Sequence, residues 1–250
     1  MSERWRSGLT LLISAVVLAA MLVVGPGDEL AALRRVFGIG QDPLGTPADV
    51  PPGGVHAFLQ TQPGHPRQPV AWDPCREIRY EVNPDGAPDG TDDTVAFVRE
   101  AVDEVSGLTG LQFDYVGETD RRPSWQASLV PRGRNEPVLI AWADEDEVDE
   151  LEGDVAGVGG AVSQQAPAGR WRRFVTGQVT LDSDVYELLE GEGDGEARGR
   201  AILLHELGHL VGLDHVDSPA ELMYADEVGL LDFGTGDRNG LVRLGKGQCA

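Results

Sequence analysis

Apolar residues in EIRYEV fall on alternate positions, Ile78, Tyr80 and Val82, with charged residues between them. Strand side chains alternate faces, so this spacing predicts a strand over Glu77 to Val82 with one buried face. The interval lengthens to three and four in TDDTVAFVREAVDEVSG, where Val95, Val98, Ala101, Val102 and Val105 share one side of a helix. Thr91 or Asp92 is placed to cap its start and Gly107 to stop it. Alternation returns in LQFDYVG through Leu111, Phe113 and Tyr115, and the unbroken run PVLIAWA, Pro137 to Ala143, predicts a strand buried on both faces.

Two further strands follow: a short edge strand in GVGGAVSQQ, Gly157 to Gln165, and a fifth in TGQVTLDSD through Val179 and Leu181. The acidic, glycine-rich GEGDGEARG then leads into a helix containing HELGHLVGLDH, His205 to His215. A last short helix is expected to start near Asp237 and end before Gly245. Strand, helix, several strands and then helices is an α+β order, with no internal repeat.

Ahead of these elements the pattern changes twice. Arg4 and Arg6 precede an uncharged, mostly apolar run from Gly8 to Gly25, and Asp28 and Glu29 follow it. A basic flank before an apolar core marks an export signal, and the run just reaches the ~18 residues of a marginal membrane span. Residues 1–27 are therefore expected to be a signal peptide or an uncleaved anchor, with the rest outside the cytoplasm, held at the membrane or secreted. The stretch from 28 to 66 is rich in Pro and Gly and reads as a linker, with folded sequence beginning near Val55 and the domain proper over 67–250.

Composition narrows the partners. With 20 Lys and Arg against 42 Asp and Glu, the formal charge of −22 repels nucleic acid and anionic lipid, so membrane association is expected only through the N-terminal segment. The basic cluster Arg170, Arg172 and Arg173 is too small to reverse that field and reads as a solvated face. The two cysteines, Cys75 and Cys249, form an even count in an oxidising compartment and predict a disulfide. The rival reading leaves Cys75 as a thiolate capping a metal, with Cys249 unpaired. The acidic run ADEDEVDELEGD reads as a solvated loop, with a Ca2+ site as the alternative; its spacing matches no EF-hand.

Only five histidines occur in the chain, and three of them fall within HELGHLVGLDH. Residues four apart on a helix point the same way, so His205 and His209 can reach one ion. Gly212 tolerates the backbone turn that ends a helix and lets His215 come back as a third ligand. A catalytic zinc takes three protein ligands and keeps its fourth position for water. Glu206 points about 100° away from His205 and is suited to take a proton from that activated water and pass it to a leaving nitrogen.

HELGHLVGLDH fits the HExxHxxGxxH signature of metzincin zinc peptidases, and Met223 in ELMY resembles their Met-turn methionine. The wording around His215, the Met-Tyr pair and the late Gly-Asp helix start most resemble the matrixins. The resemblance implies a twisted five-stranded, mostly parallel sheet with three helices, one catalytic Zn2+, and extended peptides cut while lying along an edge strand. It departs from the matrixin pattern at Ala225, where Pro usually follows Met-Tyr. His56 and His65 are too few for a second, structural zinc, and the segment from Asp28 to Pro69 has no cysteine for a thiol-based latency switch. Tyr224 is expected to pack rather than to act on substrate.

The function expected is an exported zinc endopeptidase acting on peptide or protein substrates as a monomer. Two alternatives come from other classes: a zinc-dependent peptide-binding module without turnover, and a metal hydrolase acting on non-peptide amides.

Overall fold

The computed structural model describes residues 42–88, 90–125, 136–165, 171–226 and 229–249. The apolar run from Gly8 to Gly25 lies outside them; among the described residues no helix is long and apolar enough to cross a membrane. Residues Pro43–Gln248 form one compact unit. Cys75 and Cys249 are joined as a disulfide.

Three short strands come first: β1 (Ala57–Phe58), β2 (Thr61–Gln62) and β3 (His65–Pro69). Residues 43 to 66 were expected to be linker, yet they are packed into the compact unit. Prolines and glycines there do not imply solvation, because the segment pairs its backbone with distant parts of the chain. Leu44 N–H bonds to the Pro74 carbonyl at 2.8 Å and Ala48 N–H to that of Leu108 at 3.1 Å.

The main sheet holds β4 (Ile78–Asn83), β5 (Phe113–Glu118), β6 (Val138–Ala143), β7 (Gly157–Gln165) and β8 (Arg172–Asp182), in the order β5-β4-β6-β8-β7. All neighbours are parallel except β7, which runs antiparallel to β8 at one edge. All six residues of β6 are buried, as its unbroken apolar run requires of a central strand.

Helix α1 (Thr91–Thr109) lays Val98, Ala101, Val102 and Val105 into the core. It passes the expected stop at Gly107 and ends at Gly110, whose φ of 74° is the left-handed conformation of a helix end. Thr109 is buried and bonds back to the Val105 carbonyl, which holds the extra turn. Gly90, not Thr91 or Asp92, is the residue before the first turn.

Among the described residues there are four α-helices where three were expected. The additional one, α2 (Ser183–Glu190), starts directly at the end of β8, where Asp182 accepts the Val185 N–H at 2.8 Å as an N-cap. The cap was hidden inside a stretch read as strand. Helix α3 (Gly195–Val211) carries the histidine motif, β9 (Leu213–Asp214) follows it, and α4 (Thr235–Leu244) closes the fold.

Helix α3 lies close against the edge of the sheet because glycines face it. A Cβ on Gly159 of β7 would sit 2.2 Å from the Glu206 carbonyl oxygen, and one on Gly177 of β8 would sit 2.6 Å from Leu210 Cδ1. Those distances leave no room for any side chain, so the backbone of β7 rests directly on the backbone of α3.

Candidate metal centre

His205 and His209 lie one turn apart on α3, and the helix stops two residues after His209. Gly212 carries a φ of 122° and returns its N–H to the carbonyls of Gly208 and His209, both at 3.1 Å. The chain then reverses into β9, which delivers His215. His215 Nε2 lies 3.0 Å from His205 Nε2 and 3.1 Å from His209 Nε2. Ligands about 2.0–2.1 Å from a tetrahedral zinc are separated by about 3.3 Å, close to both distances from His215 Nε2.

The backbone carbonyls beside the rings decide which nitrogens are available. His205 Nδ1 is 2.8 Å from the Leu222 carbonyl, and His209 Nδ1 is 2.9 Å from the Leu213 carbonyl. A carbonyl only accepts, so each Nδ1 carries the hydrogen and donates it, leaving the Nε2 lone pair free. The His215 Nε2 approaches both, and a cation placed among the three would satisfy all their lone pairs at once. Burial pushes the pKa of both rings down to about 4, with the neighbouring histidine adding to the shift at His205 and a bond to the Leu213 carbonyl opposing it at His209. Both are therefore neutral at pH 7, the form that binds a metal.

Glu206 is buried and stands outside the three-nitrogen set. Burial raises its pKa to about 8, while the Gly159 N–H, donating to the carboxylate, works the other way. A divalent ion held by the three histidines would oppose the rise and favour the ionised form. Met223 is buried, its Sδ against Gly208, where a Cβ would come within 2.6 Å. Its carbonyl accepts the Val216 N–H at 3.0 Å, so the segment after His215 folds back beneath the helix. Tyr224 is half-buried and pairs its backbone with Val216.

Two buried carboxylates that the motif does not reveal hold this floor in place. Glu221 accepts N–H bonds from Val55 at 3.2 Å, Gly236 at 2.7 Å and Asp237 at 3.2 Å. Asp237 accepts from Leu222, whose carbonyl faces His205, and from Gly234. Their charges are visible in the sequence but their burial is not; the flanking Gly234 and Gly236, which leave backbone N–H groups accessible, are the available signal.

Among the described residues, no carboxylate of the acidic run 144–154 belongs to a group of three or more ligating side chains. Arg122 instead pairs with Glu147, and Val148 and Leu151 turn inward beside Trp125.

A search of curated proteins finds no match. Solved structures similar to the chain include one titled "GM1 bound form of the ECX AB5 holotoxin", with 15% identity over 69% of this chain and 81% of that one. Its TM-score is 0.39. The family model for matrixin peptidases matches residues 71–228, well over half the chain and including the three histidines, Glu206 and Met223. The chain belongs to the matrixin family of metallopeptidases.

Proposed function

We propose that the chain is an exported zinc endopeptidase in which His205, His209 and His215 hold one zinc and Glu206 moves the proton. The observation that carries this reading is the direction of the imidazoles: backbone carbonyls hold the Nδ1 protons of His205 and His209, so Nε2 atoms converge with His215 while a buried carboxylate stays outside the set. Zinc bound there supplies a Lewis acid that activates water and polarises the scissile carbonyl. Glu206 accepts the water's proton and returns it to the leaving nitrogen, and its burial keeps that proton from bulk solvent. The free edge of β7, next to Glu206, offers backbone donors and acceptors for an extended peptide. That favours cleavage within a chain, in which substrate continues on both sides of the zinc.

Export rests on the basic flank and apolar run before residue 28, and the disulfide accords with an oxidising compartment. Native protein recovered intact and soluble from cytoplasm would count against it.

Replacing Glu206 by Ala tests the catalytic assignment. The variant is expected to keep one zinc per chain and to lose roughly 10²- to 10⁴-fold in peptide hydrolysis. A native domain that binds zinc, cleaves nothing across a broad peptide library and behaves like Glu206→Ala would leave a peptide-binding module as the better account.

A further inference from the structure

The three histidines are not held alike. His205 and His209 each give a ring proton to a carbonyl and ride on a packed helix. His215 is exposed, and among the described residues its Nδ1 meets no carbonyl or carboxylate. Its position therefore depends on its backbone. That backbone is held at Gly212 to His215 by Asp214 Oδ1, which accepts the His215 N–H at 2.9 Å, and by a strap of chain from far upstream.

The strap runs from Gly53 to Gln62. Within it β1 pairs antiparallel with β9, Ala57 opposite Asp214 and Phe58 opposite Leu213, and the Leu59 N–H bonds to the Gly212 carbonyl at 3.1 Å. One end is fixed by the Val55 N–H on Glu221 and by close packing on α4, where a Cβ on Gly236 would fall 2.0 Å from the Val55 carbonyl oxygen. The other end is fixed where the Gln62 side chain bonds to both the N–H and the carbonyl of Arg172, at 2.8 and 2.7 Å. A two-residue strand pair has little stability alone, so these end anchors keep it in register.

We infer that the strap is a clasp for the third ligand: Glu221, through Val55, and Leu59, through Gly212, are positioning residues that set His215 and thereby zinc affinity. The inference rests on the ligand assignment proposed above. The fold thus places metal retention under the control of a segment some 150 residues upstream of His215, roughly the span from Val55 and Leu59 to the motif.

Two substitutions in the full chain test it without touching a ligand. Leu59→Pro removes one N–H and suits the extended backbone at Phe58. Glu221→Gln keeps the shape of the anchor but replaces one acceptor oxygen with a donor. Zinc affinity, measured by competition with a chelator, is expected to fall about 10- to 100-fold in each. The visible spectrum of the cobalt-substituted protein is expected to change as well, since the geometry at the ion shifts. Val102→Ala, in α1, serves as a control that lowers the unfolding temperature of the metal-free protein through a core cavity and leaves affinity and spectrum unchanged. Native affinity and an unaltered cobalt spectrum in both strap variants overturn the clasp. So does a loss of affinity that merely follows the unfolding temperature across all three variants. Native protein that binds no zinc overturns the ligand assignment itself.

Discussion

Gly159 abuts the motif helix and Gly208 lies within it, and they differ in what a methyl group would strike. At Gly159 the obstacle is backbone, the Glu206 carbonyl, and at Gly208 it is the thioether of Met223. Backbone in a helix cannot step aside, whereas a methionine side chain has three rotatable bonds. Gly159→Ala is expected to destabilise the domain at the upper part of the ~1–3 kcal/mol range for overpacking, and Gly208→Ala at the lower part. Urea unfolding of the metal-free proteins decides it; equal midpoints would refute the distinction. The motif residues themselves were legible because zinc chemistry demands residue types at fixed intervals, and His205, Glu206, His209, Gly212 and His215 satisfy that demand in the bare sequence. Glu221 and Asp237 were not, because nothing about an acidic residue states that backbone N–H groups will enclose it.

Strands β4 to β8 were legible for a similar reason: a buried face leaves a period in the sequence. The pieces that escaped are held by single polar groups. Helix α2 depends on the Asp182 cap, and β1 on partners over 150 residues away, which local periodicity cannot register. The acidic run shows the same limit, since its conformation comes from Arg122 clasping Glu147 and from Trp125, whose Nε1 bonds to Thr180 Oγ1 at 3.0 Å. The Arg122 hydrogen bond lowers the Glu147 pKa from its ordinary value, and burial only partly opposes this. A depressed carboxylate contributes stability above its unfolded pKa and loses it as the pH falls through the lower folded value. With side chains 37% and 34% exposed, the pair is expected to be worth under ~1 kcal/mol. Subtracting the unfolding free energy of Arg122→Met from that of the native chain should give a small positive difference at pH 7 that vanishes below the Glu147 titration. A difference that persists in acid would mean Arg122 acts instead through its bonds to the Asp85 and Trp142 carbonyls.

Over the whole chain, the Cys75–Cys249 bridge closes a covalent loop around most of the folded domain. An entropic treatment assigns so long a loop as much as about 5 kcal/mol, and Cys249→Ser is expected to lower the melting temperature while leaving zinc content unchanged. Intact-mass analysis of native protein should find no free thiol; loss of zinc in the serine variant would show that the bridge does more than restrain the chain. Removing the metal should lower the melting temperature further, since an ion bound only by the folded state stabilises it by mass action. The glycine seam between β7 and α3 joins the strand edge to the catalytic carboxylate proposed above. Because Gly159 donates its N–H to Glu206 and no side chain cushions the join, a peptide that twists the strand also turns the donor on the carboxylate. Docking and proton transfer then share a single moving part. Lengthening a substrate along β7, away from the bond to be cut, should raise kcat and not merely lower KM.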